Sequence, residues 1–206
     1  MWHETGLRAL VTCIARSPVD WDAFAVGYAD GSVRIWNAKS QAVTVTFNGH
    51  KSAVSALAWD ADGTRLATGS KDTDIIIWDV VGEVGLFRLR GHRDQITALA
   101  FVAARPGSET DTTDESTSAA EPSSSSTTTT LARPSTHLLS SSKDTFLKLW
   151  NLTTQHCIET HIAQTNGECW ALGVSPDGSG CITAGNDGEL KVWAIDQSGL
   201  RRAGST

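Results

Sequence analysis

The 206-residue chain is short of several residue types. It has one Met, one Tyr and five Pro. No apolar run approaches the roughly 18 residues a membrane-crossing helix needs, so no such helix is expected. Cations are outnumbered, with 17 Lys+Arg against 23 Asp+Glu and a net charge of −6. Affinity for nucleic acid rests mostly on cations, which argues against a dedicated phosphate-binding surface and leaves room only for a local basic patch. The four cysteines, Cys13, Cys157, Cys169 and Cys181, include no C-x-x-C pair. They read as reduced thiols of a cytosolic or nuclear protein. The first residues lack a basic stretch followed by an apolar one, so no secretory signal is expected. Neither G-x-x-x-x-G-K-[ST] nor G-x-G-x-x-G occurs, so no phosphate cradle is visible.

Tryptophan and glycine are plentiful, at 8 and 18 copies. Hydrophobic residues are 40% and charged residues 19%, the balance of a globular chain. A chain of this length that closes on itself buries roughly 70% of its unfolded surface. Thr, Val, Ile and Trp outweigh helix formers, which points to an all-β fold.

The tryptophans repeat. Trp36, Trp78, Trp150 and Trp193 close similar segments, SVRIWN, DIIIWD, FLKLWN and ELKVWA, at intervals of 42, 72 and 43. Each follows an aspartate by six residues: Asp30, Asp72, Asp144 and Asp187. Gly-His pairs at Gly49-His50 and Gly91-His92 are 42 apart. His50 precedes Asp72 by 22 residues, but His92 precedes Asp144 by 52. The unit ending at Trp150 therefore carries 30 extra residues, whose removal restores the 42-residue period. The surplus falls within Arg105 to Thr136, rich in Ser, Thr, Pro and acid and nearly free of apolar groups. Such a segment cannot offset its ordering entropy, and 105–136 is expected to be a disordered loop inserted within one unit. Its flanks, Ile96–Val102 and Leu138–Ser142, read as strands.

Within a unit the apolar period is two. In Val54–Trp59, Val54, Ala56 and Ala58 share a face, whereas Asp74–Trp78 is apolar on both faces, as in a strand buried on both sides. Asp-Gly at 30–31, 62–63, 177–178 and 187–188 marks turns, because these pairs tolerate positive φ. Several short strands per 42-residue unit indicate antiparallel sheets.

Gly-His near the start of a unit and Trp-Asp or a variant at its end resemble the WD40 repeat, over the whole chain except the insertion. The resemblance implies a partial WD40 β-propeller: about four blades of four-stranded antiparallel sheet spanning 1–206, with units ending near Trp36, Trp78, Trp150 and Trp193. It also implies a buried network in which a loop His bonds the turn Asp, and a strand hydroxyl links that His to the Trp indole. His50, Asp72 and Trp78 match, with Thr68 or Ser70 as hydroxyl. His92, Asp144 and Trp150 match, with Ser140 or Ser142. The first unit has Arg8, and the fourth Thr165, where the His would stand; complete networks are expected only in the second and third.

Other readings of these residues are weaker. A Ser, His and Asp in one cluster invites a hydrolase, but the cluster recurs as a building block does and no nucleophile elbow accompanies it. His156, Cys157, His161 and Cys169 lie close in sequence without the paired spacings of structural zinc. Cys157 reads instead as a small hydrophobe on a strand. No catalytic residue, cofactor or metal is assigned. The repeat-borne cations Arg34, Lys71, Arg88, Arg90, Arg93, Lys143, Lys148 and Lys191 suit either a solvated face or a rim contact to RNA or an acidic partner. Arg93 and Trp170 are candidate rim contacts, although Trp170 also suits a core position. The Ser/Thr-rich insertion offers phosphorylation sites by composition only.

Gly27–Trp36, Val45–Val54, Arg65–Val80, Gly85–Thr97 and Thr154–Cys157 together resemble a narrower family. It is that of the N-terminal propellers of the U3 snoRNA-associated WD-repeat subunits of the small-subunit processome (UTP-B subcomplex). KDTDIIIWDV followed by GLFRLRGH is the most telling stretch. The resemblance implies a nucleolar, nuclear, non-catalytic scaffold in pre-18S rRNA processing. Its partners would be other WD-repeat processome subunits and, largely indirectly, pre-ribosomal RNA and the U3 snoRNP, with no membrane and no small-molecule substrate. Members carry two propellers and a helical C-terminal domain, of which this chain covers about four blades. An open stack of four exposes blade faces and strand edges, so association is expected. The alternative is a generic WD40 adaptor, such as a ubiquitin-ligase substrate receptor or a signalling scaffold.

Overall fold

The structure is a computed structural model that describes residues 9–102, 135–196 and 199–203. Among them are sixteen strands and no helix. They pair into four antiparallel sheets in simple sequence order. The first holds β1 (Val11–Arg16), β2 (Ala23–Tyr28), β3 (Ser32–Asn37) and β4 (Ala42–Asn48). The second holds β5 (Val54–Trp59), β6 (Arg65–Ser70), β7 (Ile75–Asp79) and β8 (Val84–Leu89). The third holds β9 (Ile96–Val102), β10 (His137–Ser142), β11 (Phe146–Asn151) and β12 (His156–Ile162). The fourth holds β13 (Cys169–Val174), β14 (Gly180–Gly185), β15 (Leu190–Asp196) and β16 (Gly199–Arg202). The inner strands β1, β5, β9 and β13 adjoin one another in turn, so the sheets are successive blades of a partial β-propeller.

The repeat tryptophans lie on the third strand of each sheet, and a fourth strand follows. The sequence unit that ends at Trp is thus offset by one strand from the sheet that folds. The first sheet is complete, with β1 and β2 both upstream of Asp30.

Alternation explains the packing. Each blade is apolar on both faces, and each core forms between neighbours. Ala25, Val33, Ile35 and Phe47 of the first blade meet Val54, Leu66, Ile76 and Trp78 of the second. Ala67, Ile75, Ile77 and Leu89 on the other face of the second blade meet Ile96, Leu138 and Trp150 of the third. Leu139, Leu147, Leu149 and Ala163 then meet Cys169, Cys181 and Trp193 of the fourth. Burying such side chains contributes about 1.5–3 kcal/mol each, which makes the blade-to-blade interface the main source of cohesion.

The Asp-Gly turns take positive φ at Gly31, Gly63, Gly178 and Gly188. Thr73 and Thr145 occupy the turn positions of Gly31 and Gly188, also at positive φ (72° and 75°). A β-branched residue is strained there, and composition gave no sign of it.

Most of the proposed insertion 105–136 lies outside the described residues, which break off between 102 and 135. Its last two residues correct the expectation of disorder. Ser135 is buried, and its Oγ donates to Asp60 Oδ1 at 2.6 Å. Its backbone N–H also donates to Asp60, at 3.2 Å. Arg65 donates to the same fully buried carboxylate through Nε, at 2.9 Å, and to the Ser135 carbonyl at 2.5 Å. The start of β10 is therefore anchored to the second blade's β5–β6 turn by a shielded ion pair.

Candidate functional site

Two loops and two turns converge at one end of the blades. The β4–β5 loop carries His50, and the β6–β7 turn carries Asp72. His50 Nδ1 lies 3.1 Å from Asp72 Oδ2, and its Nε2 lies 2.7 Å from Thr68 Oγ1. The Trp78 indole N–H donates to the same hydroxyl at 2.9 Å. A carboxylate only accepts, so Nδ1 carries the proton, Nε2 accepts from Thr68, and Thr68 accepts from the indole. The third blade repeats this arrangement: His92 Nδ1 to Asp144 Oδ2 at 2.8 Å, Nε2 to Ser140 Oγ at 2.7 Å, and the Trp150 indole to Ser140 at 2.7 Å.

Ser70 and Ser142, the other candidate hydroxyls, have different jobs. Each accepts from the following turn's Asp N–H (Asp72 or Asp144) and donates to a carbonyl of the loop before its blade, Ser52 or Asp94.

The charges are fixed by these bonds. Burial lowers the pKa of His50 and outweighs the pull of Asp72, so the imidazole is neutral at neutral pH. Burial works against ionising Asp72, but the Lys51 N–H, the imidazole and the Asp74 N–H outweigh it and hold the carboxyl below its ordinary value. Asp144 is likewise held low against its own burial, by His92 and the N–H groups of Arg93 and Phe146. Each Asp is therefore a capped anion at a turn.

The end blades differ. In the first, the Trp36 indole donates to the Tyr28 hydroxyl at 3.0 Å, and Arg8 lies outside the described residues. In the fourth, the Trp193 indole donates to Thr183 at 2.9 Å. Thr165 is exposed there, and Gln164 is fully buried instead. Gln164 Nε2 bonds the Glu189 carbonyl at 3.2 Å. A Cβ on Gly185 would meet Gln164 Cγ at 2.6 Å, so the glycine replaces the Ser70 and Ser142 of the middle blades to admit this side chain. Among the described residues, Gln164 Oε1, Asp187 Oδ2 and Lys191 Nζ are buried without a hydrogen-bond partner, all in this blade.

A second periodic contact escaped the sequence reading. Thr12 donates to the Val54 carbonyl at 2.5 Å, Ser55 to Ile96 at 2.5 Å, and Thr97 to Cys169 at 2.6 Å. Each hydroxyl clasps an inner strand to the next blade. The aligned runs TCIAR, SALAW and TALAF carried the signal. In the fourth blade the matching position is Trp170.

That placement leaves Trp170 half-exposed on the rim, not in the core. Lys143 Nζ sits 4.3 Å from its ring centroid and 3.6 Å from Glu168. Arg93 is exposed, and its backbone N–H caps Asp144 at 2.8 Å. Lys71 is exposed as well. Other cations are engaged within the fold: Arg88 with Asp74 at 2.6 Å, Arg34 over the Tyr28 ring at 4.6 Å, and Lys148 with Thr160 at 2.8 Å. Lys191 is buried. Cys157 does lie on a strand, β12, but is exposed there and not packed as a hydrophobe. His161 pairs with Glu159 at 3.0 Å, apart from buried Cys169. Among the described residues no group of three or more His, Cys, Asp or Glu is placed to hold a metal ion.

Comparison with known proteins fits this geometry. Residues 1–195 match the family described as the WDR3 first beta-propeller domain. The chain belongs to that family. It is 48% identical over 158 residues to U3 small nucleolar RNA-associated protein 12 of Saccharomyces cerevisiae, covering 77% of this chain and 13% of that protein. It is 28% identical over 197 residues to the nuclear distribution protein nudF of Emericella nidulans, covering 94% of this chain and 38% of that one. Among solved structures, that of U3-55K superposes with a TM-score of 0.70 at 26% identity, covering 96% of this chain and 52% of that chain. The chain thus spans from about an eighth to about half the length of these relatives.

Proposed function

We propose that this chain is a non-catalytic scaffold segment of a ribosome-biogenesis protein, working in the nucleolus within the small-subunit processome. The observation that carries this reading is the 48% identity, over 77% of the chain, to a protein named for its association with U3 small nucleolar RNA. The site geometry supports the absence of catalysis. The His–Asp–hydroxyl clusters are buried, spend their donors and acceptors on the Trp indole and the turn backbone, and recur from blade to blade. Groups so engaged hold a loop in place and leave nothing free to act on a substrate.

Partners are held at the rims. The contact points are exposed Arg93 and the Trp170–Lys143 pair, an amphipathic aromatic beside a cation. The net charge of −6 makes protein subunits the direct partners and RNA a largely indirect one.

The test is to tag the full-length protein in cells. The expected result is nucleolar signal and co-purification with U3 snoRNA and 18S precursors, partly resistant to RNase. Diffuse cytoplasmic signal without U3 enrichment would overturn the proposal.

A further inference from the structure

The end of the blades that holds the two complete networks is unevenly charged. Four loops and turns of the second and third blades meet there: 49–53, 71–74, 90–95 and 143–145. Their exposed charged residues are Lys51, Lys71, Arg90 and Arg93, against one carboxylate, Asp94. The other carboxylates are engaged. Asp72 Oδ2 accepts from the Lys51 N–H at 2.7 Å and Asp144 Oδ2 from the Arg93 N–H at 2.8 Å, each beside an imidazole. Asp74 pairs with Arg88 at 2.6 Å and with Arg90 at 3.5 Å. Among the described residues, the side chains of Lys51, Lys71 and Arg93 therefore have no ion-pair partner. At the opposite end of these two blades Asp62, Asp79 and Glu83 stand in the turns, and Arg65 beside them is tied to buried Asp60.

The cations recur in register. Lys51 and Arg93 hold the position whose N–H caps the turn Asp. Lys71 and Lys143 hold the position before that Asp, where the N–H donates to the carbonyl of Ala53 at 2.9 Å or Gln95 at 3.0 Å. In the end blades this second position is Ala29 or Asn186, bonded in the same way to Leu10 or Glu168 but uncharged. Both middle blades have a described neighbour on either side, so the array is complete within the chain. The same two turns hold Thr73 and Thr145 at positive φ, where the end blades use Gly31 and Gly188. Strained turns of this kind concentrate at binding surfaces.

We propose that this basic end of the second and third blades binds an extended acidic peptide, with one carboxylate at Lys51 and Lys71 and the next at Arg93 and Lys143. Lys143 has Glu168 at 3.6 Å, a loose contact that a bound carboxylate displaces. Stacked sheets stand roughly 10 Å apart and an extended chain rises about 3.3 Å per residue, so the two acids are three residues apart. Backbone bonds already fix all four positions, and binding orders side chains only. A nucleic acid fits less well. The four loops and turns carry no Phe, Tyr or Trp on which a base could stack. Asp94 interrupts the cations, and the net charge of −6 repels a long polyanion. The proposal deepens the scaffold reading by giving the partner's chemistry, and rests on that reading for the existence of a partner.

The test is fluorescence anisotropy with the purified full-length protein and a labelled peptide of repeated Glu-Gly-Ser. The expected result is saturable binding that weakens with added salt. Lys51→Gln, Lys71→Gln and Arg93→Gln should each weaken it about two- to fivefold, and Lys51→Gln with Arg93→Gln about tenfold. Lys39→Gln, in an exposed turn at the opposite end of the first blade, should leave it unchanged. Backbone groups and not these side chains cap the turns, so each variant should keep the parent's circular dichroism. No saturable binding up to about 1 mM overturns the proposal. So does equal weakening by Lys39→Gln, which marks unspecific attraction, or tighter binding of a single-stranded RNA of the same length. A peptide with its glutamates in one block that binds as tightly refutes the two-blade register. The nucleolar assay reads location and U3 association and this one reads affinity, so either proposal can fail while the other stands.

Discussion

Replacing Thr68 with valine isolates the second blade's network. The Thr68 hydroxyl is fully buried and spans 2.7 Å to the His50 imidazole and 2.9 Å to the Trp78 indole. Valine keeps the shape and removes the oxygen. The indole N–H then has no acceptor and imidazole Nε2 has no donor. Each stranded buried group costs about 1–3 kcal/mol, so the expected loss is about 4 kcal/mol. Thr183 in the fourth blade is the internal comparison. It is also fully buried, but of the network contacts it makes only the one to an indole, Trp193 at 2.9 Å. Thr183→Val strands one group and is expected to lose about 2 kcal/mol. In thermal melts at one protein concentration these translate to roughly 10 °C and roughly 5 °C. Urea unfolding followed by tryptophan fluorescence gives the free energies directly. Thr68→Ser, which keeps the hydroxyl, should recover most of the loss. Equal losses at the two sites would refute the claim that the imidazole and the indole share one bridging oxygen.

Three further outcomes are expected. The folded carboxyls of Asp72 and Asp144 sit below the ordinary 3.8 and His50 sits below 6.5, so all three contribute stability at higher pH. The His50 contribution should fade as pH drops below 6.5, and the Asp contributions as it drops below 3.8. Melting temperatures from pH 3 to 8 check this, with a shallower acid arm for Asp72→Asn. Thr73→Gly and Thr145→Gly should each stabilise the fold by roughly 0.5–1 kcal/mol, because left-handed turns strain a β-branched residue and glycine is already used in the end blades; unchanged unfolding midpoints would exclude the strain. Asp60→Ala leaves the Arg65 guanidinium and the Ser135 groups without their acceptor, and is expected to cost about 3 kcal/mol and to speed amide exchange at the start of β10. If Asp60→Leu with Arg65→Met is no less costly than Asp60→Ala, the shielded ion pair is not the cause.

By itself, the sequence determined the repeat. A 42-residue period, an Asp six residues before each Trp, and alternation of period two are local facts, because strand geometry and turn chemistry act over neighbouring residues. They sufficed for antiparallel sheets, one to each repeat, whereas the buried network was what the resemblance to the WD40 repeat implied. Tertiary structure decided what alternation leaves open. Thr68 and Ser70 lie on the same face of one strand, and only the reach of the imidazole distinguishes the hydroxyl that meets the indole. Gln164, one residue ahead of the phase-matched Thr165, is buried because Gly185 makes room for it. The clasps of Thr12, Ser55 and Thr97 run between blades 41 to 72 residues apart in sequence, and Ser135 reaches Asp60 across 75. Such partners are chosen by which sheets stack face to face, a choice made when apolar faces leave water together and not by any short pattern along the chain.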